Sequence, residues 1–352
     1  MAVNTTNPDT LHTSLINKDD SAIWPVLAAL RLFLAAIVVA SHVGQSFMTP
    51  RPVHILADFG AFDAVICFFV ISGYSIAHSL KDGSKGFYMR RVDRIYPLYF
   101  FAIVFSTVVF LLPGCAEIPP SSVWQWLGNF VFLQGFTVVK IYTDGPVWTL
   151  AIEVVYYALA PLLARLKSWQ ILGLIGLSAL VCLHPPGFYA GPPNQLQYGG
   201  GLLMLGWAWM GGFLYYRYQS DIRAAIILTL MGTLLIWSHS FGGTALFACF
   251  MMVFAAGKEL CPKSTQIRKL MNYAGDISYP LYILHFPALI MMSLLFHING
   301  WVAFIATFLI AAGAYHLIDR PYRNLVKRRH SAQKLRQSSV VQIEHSLVHP
   351  TR

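Results

Sequence analysis

Between Trp24 and Gln45 the chain reads WPVLAALRLFLAAIVVASHVGQ. The run is long and apolar enough to cross a bilayer as one helix, yet it contains Arg31 and His42. A cation in hydrocarbon costs at least about 2.5–3.5 kcal/mol on insertion scales, so it needs a partner, a cavity or a task. At about 100° per residue, the spacing from 31 to 42 is about three turns, or about 16 Å along the axis. Both side chains therefore project from one face. One helix face links an arginine deep in the apolar run to a titratable histidine near its end. The competing reading is structural, with Arg31 snorkelling or ion-paired and His42 interfacial.

Composition narrows the class. The chain of 352 residues is 56% apolar and only 11% charged, where a soluble domain carries about 25% charged residues. Its mean hydropathy is +0.57. These values predict an all-α, polytopic membrane protein in contact with the lipid bilayer. The net charge of +10 sits mainly in short loops and the C-terminal tail, the pattern that orients a membrane protein. It does not point to nucleic acid. Residues 1–20 are polar with no apolar core, so no cleavable signal peptide is expected. Cys67, Cys115, Cys182, Cys249 and Cys261 show no paired or ligand-like spacing. Neither a disulfide framework nor a metal site is expected.

Taken in order, residues 1–23 read as a disordered cytoplasmic leader, 24–326 as the transmembrane domain and 327–352 as a basic cytoplasmic tail. Ten spans are expected, near 24–45, 61–80, 96–113, 146–166, 169–184, 199–217, 223–239, 241–257, 277–296 and 300–318. The basic loop KDGSKGFYMRRVDR falls inside by the positive-inside rule, which puts both termini in the cytoplasm. Residues 122–136 are apolar but short. The loop charges alternate correctly only if this segment does not cross, so a short re-entrant or interfacial helix is expected there. No internal repeat and no soluble catalytic domain is visible.

Four more stretches join the Arg31/His42 pair: FFVISGY (68–74), RRVDRIYP (90–97), VWTLAIEVVYYALAP (147–161) and ISYPLYILH (277–285). In this order and spacing the chain resembles the acyltransferase-3 family of integral membrane acyltransferases, over roughly residues 24–326. Thr149 stands where the family usually has serine, and Asp319 where glutamate is commoner. The resemblance implies an enzyme that takes an acyl group, usually acetyl, from cytoplasmic acyl-CoA. It implies delivery to a hydroxyl, usually of a sugar.

The residues fit that chemistry. His42 can deprotonate a hydroxyl or carry the acyl group. Arg91 and Arg94 share a helix face at the cytoplasmic mouth and suit the phosphates of CoA; plain positive-inside anchoring is the alternative. Ser72, Gly73 and Tyr74 could border a pantetheine arm, or Gly73 could serve helix packing. Glu153 is an acid in an otherwise apolar span and needs a partner, with Arg31 the natural one and His42 the alternative. Tyr282 and His285 share a face, and with Tyr279 could orient the acceptor or the thioester carbonyl; ordinary interhelical hydrogen bonding is the alternative. Trp148 joins this substrate group, with packing as its alternative. The closing stretch IDRPYRNL is expected to help end the last helix.

The expectation is thus a membrane-bound O-acyltransferase in a bacterial inner membrane. Its catalytic residues are His42, Arg31 and Glu153, its donor is acetyl-CoA, and no metal is needed. Its acceptor is a sugar of an exported glycan or lipid-linked precursor, and polysaccharide export machinery is a possible partner. A transporter or flippase explains the intramembrane charges and the span count equally well, but not the cytoplasmic arginine pair together with the other motifs. A non-catalytic member of an export complex is a third reading.

Overall fold

Each of the ten apolar stretches is helical, as expected where lipid offers backbone groups no partner but each other. A computed structural model describes residues 8–81, 83–114, 122–184, 199–237, 240–329 and 331, with side chains from residue 22 onward. In chain order the helices are α1 (Pro8–Ser46), α2 (Arg51–Ala57), α3 (Ala61–Ser79), α4 (Phe87–Phe110), α5 (Val123–Phe130) and α6 (Trp148–Leu163). Then follow α7 (Ser168–Leu183), α8 (Gly200–Arg217), α9 (Ile222–Trp237), α10 (Phe241–Ala255), α11 (Thr265–Leu295) and α12 (Gly300–Ala314). Among the described residues there is no strand, only an isolated bridge between Gln134 and Val138. The protein is an all-α, multi-pass membrane protein.

Six helical stretches among the described residues are long and apolar enough to cross a bilayer: Ala22–Ser46, Ala61–Ser79, Phe87–Phe110, Gly145–Leu163, Thr265–Leu295 and Gly300–Arg329. The apolar helices α7, α9 and α10 have 16, 16 and 15 residues. At 1.5 Å per residue they reach about 24 Å, short of a hydrocarbon core of about 30 Å. α8 also lies outside the six, its apolar content diluted by glycine and tyrosine.

Several boundaries differ from expectation. α1 begins at Pro8, so the polar stretch before Trp24 is continuous with the first span. α4 begins at Phe87, so RRVDR is helix and not loop. The last helix does not end at IDRPYRNL: it passes through a π turn at Tyr315–Asp319 and continues to Arg329. Asp319 there is buried and pairs with Arg323 at 2.5 Å. Residues 332–352 of the expected tail and the uncharged loop at 187–197 lie outside the described residues. α5 has eight residues, with the Ser122 hydroxyl accepting from Gln125 N at 3.2 Å as its cap. At about 12 Å it cannot cross.

α1 sits between two packed groups. Leu27, Leu34, Ile37 and Val38 join α3, α8 and α10, while Ala35, Val39, Ala40 and Val43 join α11 and α12. Lipid is as apolar as leucine, so helices associate where small residues let backbones approach. A Cβ on Gly73 would lie 1.8 Å from the Trp209 carbonyl oxygen, and one on Gly212 would lie 2.0 Å from that of Val70. α3 and α8 thus touch backbone to backbone. Near the α4 N-terminus, Arg323 also reaches Asp276 at 2.8 Å and the Tyr322 hydroxyl donates to Asp93 at 3.1 Å. These contacts tie α4, α11 and the last helix together, leaving a space between them and α1, α3 and α6.

Candidate active site

That space is a cavity of about 420 Å³. Helical spacing brings its polar wall together. Ser72, Ser75 and Ser79 recur along one face of α3, and Thr149, Glu153 and Tyr157 recur at every fourth residue of α6. Arg31 from α1, Arg91 and Arg94 from α4, and Tyr279 and Tyr282 from α11 complete it.

Arg31 donates to the Ser75 hydroxyl at 2.7 Å, and Ser75 in turn donates to Ile71 O at 2.7 Å. Glu153 Oε1 accepts from Ser72 at 2.7 Å and from the Tyr157 hydroxyl. Arg31 and Glu153 therefore share the cavity, but no ion pair joins them; each is held by its own α3 serine. This corrects the expected Arg31–Glu153 pairing. Arg91 donates to Ser79 at 2.9 Å and lies over the rings of Phe87 and Tyr157, at 5.5 and 6.0 Å from their centroids. Its buried Nε has no partner. Three guanidinium groups thus line a cavity with one carboxyl group, which makes it a receptor for anions.

Not every expected residue reaches this wall. Gly73 and Tyr74 face away from it. Gly73 is pressed against the α8 backbone, and Tyr74 packs on Tyr215, Tyr216 and Phe254. Trp148 packs against Gly201 of α8. Tyr279 and Tyr282 do line the cavity. The Tyr282 hydroxyl lies 2.7 Å from Thr149 Oγ1, and that of Tyr279 donates to Ile95 O at 2.9 Å.

His42 and His285 do not line the cavity but meet beyond its end. His285 Nε2 is 3.2 Å from His42 Nδ1, and the ring of the cavity-lining Tyr282 is 6.2 Å from that of His285. The hydrogen bonds fix the tautomers. His285 Nδ1 faces two carbonyls, Leu281 O at 3.1 Å and Tyr282 O at 2.8 Å, which only accept. Neutral His285 therefore has its proton on Nδ1 and a bare Nε2. His42 Nδ1 faces that bare nitrogen and Val38 O at 2.8 Å, so it must donate. This leaves His42 Nε2 with a lone pair and no hydrogen bond, the arrangement of a general base.

A loop anchored by buried polar residues packs next to the pair. The Phe286 ring meets His42 edge-on at 5.1 Å, and a Cβ on Gly145 would lie 3.4 Å from Phe286. Asn129 holds the loop by accepting from Ile141 N at 3.3 Å and donating to Val139 O at 2.9 Å. Gln134 donates to Tyr99 at 2.9 Å, and the Ser106 hydroxyl donates to Asp144 at 3.2 Å. Burial pushes the Asp144 carboxyl well above the usual carboxylate range, while Ser106 and Lys140 pull it back. None of these loop residues was singled out from sequence. The serine face of α3 was legible in its spacing, and so was Tyr157, four residues after Glu153.

Comparison with known proteins bears on this site. The family described as "Acyltransferase domain" matches residues 25–317. Acyltransferase MdmB of Streptomyces mycarofaciens is 24% identical, over 87% of this chain and 93% of its own length. Peptidoglycan O-acetyltransferase OatA of Listeria monocytogenes is 25% identical over 85% of this chain, and O-acetyltransferase OatA of Staphylococcus aureus is 23% identical over 85%. The matched regions cover only 56% and 57% of those two proteins. No solved structure matches.

Proposed function

Because the chain belongs to the acyltransferase-3 family and is an acyltransferase, we propose that it moves an acetyl group from cytoplasmic acetyl-CoA to a sugar hydroxyl. The acceptor is an exported glycan or its lipid-linked precursor. One observation carries the reading: an arginine-rich cavity is lined by Tyr282, whose ring neighbours His285, and His285 in turn bonds a histidine whose Nε2 makes no hydrogen bond. Arg91 and Arg94 hold the phosphates of CoA, and the pantetheine arm lies along the cavity past Ser72 and Glu153. Tyr282 orients the thioester carbonyl where the arm meets the histidines. His42 Nε2 takes the proton of the acceptor hydroxyl. The oxygen attacks the thioester carbon, the C–S bond breaks as the C–O ester bond forms, and CoA departs as thiolate. The proton on His42 then passes to that thiolate, which restores the base and balances the step.

Ten spans with both termini in the cytoplasm, in a bacterial inner membrane, are supported by the alternation of basic loops. Under this topology the arginines face the cytoplasmic donor and His42 lies toward the outer side. The experiment that tests the function is mass spectrometry of exported glycans from cells with and without the gene. A difference of one acetyl unit per modified sugar is expected. Identical glycans, with an acetyl-CoA-independent transport defect in their place, would overturn it.

A further inference from the structure

The cavity wall carries two aromatic rings as well as the arginines. Trp24 and His78 both line the cavity, and their rings meet edge to face with centroids 4.7 Å apart at 70°. Each is braced from behind: Tyr74 lies 6.2 Å from Trp24, and Tyr216 lies 5.5 Å from His78. One residue beyond His78 is Ser79, which holds Arg91 at 2.9 Å. Arg91 keeps a buried, unpartnered Nε toward this region, and neither Arg91 nor Arg94 has a carboxylate within ion-pair distance among the described residues. A braced aromatic ring in one cavity with guanidinium groups that make no ion pair is the recognition chemistry of a phosphorylated purine nucleotide. The base stacks on the ring while the phosphates take the arginines.

We propose that Trp24, held by His78 and Tyr74, is the stacking platform for the adenine ring of CoA. The proposal rests on the acyl-CoA reading above and deepens it by assigning the nucleotide end of the donor. It also fixes the direction in which the donor lies. At 1.5 Å per residue, Trp24 and His42 are about 27 Å apart along α1. A donor anchored by its base at Trp24 must therefore extend the length of the cavity to present its thioester at Tyr282. The bland alternative is that Trp24 is an interfacial anchor, as tryptophan often is at a span end.

The test is binding by the purified full chain in detergent, measured by calorimetry with three probes: CoA, adenosine 3′,5′-bisphosphate and 4′-phosphopantetheine. Trp24→Leu is expected to weaken the first two about tenfold, the loss of one base–aromatic stack, and to leave the third unchanged. Trp24→Phe keeps a ring and is expected to stay within about twofold of wild type for all three. Should the leucine variant fail to fold, Trp24→Met reads the same contrast. Unchanged CoA affinity without the indole, or an equal loss for 4′-phosphopantetheine, would overturn the platform and leave the donor reading standing. A wild-type chain that binds none of the probes would overturn the donor reading and the platform with it.

Discussion

The tautomer of His42 is set by two neighbours that accept a hydrogen bond from it. Val38 O and the bare Nε2 of His285 hold the proton on Nδ1 and leave Nε2 free. Sequence placed His42 and His285 in separate motifs and assigned them separate roles, base and acceptor-orienting residue. Their contact is invisible in spacing, because it joins residues 243 apart across α1 and α11. Glu153 shows the same limit: the need for a partner was legible, but the partners are Ser72 and Tyr157 and not a cation. If His285 positions His42, then His285→Leu should lower kcat by on the order of tenfold or more. The KM for acetyl-CoA should not move, since His285 does not line the donor cavity. Steady-state kinetics reads this split; a fall confined to KM would mean that the histidine pair serves donor binding.

At the level of helices, the places where they form were readable and their ends were not. Apolar runs locate a helix because each needs a dry partner or lipid, whereas an end is set by caps and tertiary contacts. α4 and the last helix both run past their expected limits because Tyr322 and Asp93 link them where sequence showed only charge. The length of 122–136 predicts the short α5, but nothing in the sequence predicts the anchored loop after it. Its anchors Asn129, Gln134 and Asp144 are polar residues that read as surface until the fold buries them. SGY, weighed for a ligand or for packing, divides between the two. Ser72 serves the cavity, and Gly73 serves the α3–α8 seam with Gly212 opposite. Gly212→Ala would drive a methyl to 2.0 Å from the Val70 carbonyl oxygen, and backbone cannot yield as a flexible side chain can. A loss of about 2 kcal/mol or more is expected, seen as a lower Tm in detergent. An unchanged Tm would show that the seam is looser than described.

Across the whole molecule, α1 is the axis. It carries Trp24 and Arg31 along the cavity and His42 beyond its far end, while its two sides pack on separate helical groups. Indole, guanidinium and imidazole are therefore arranged in sequence along one element, which suits the proposed reaction, with its donor at one membrane surface and its acceptor toward the other. In the proposed reaction donor binding and group transfer are separable along this axis, with the arginines doing the first and His42 the second. The most direct measurement compares wild type and His42→Ala, purified in detergent with acetyl-CoA and acceptor glycan. It records CoA binding by calorimetry and acetyl transfer by release of free thiol. His42→Ala is expected to bind CoA as wild type does and to lose transfer by at least about a hundredfold. Wild-type transfer by His42→Ala would contradict the proposed reaction.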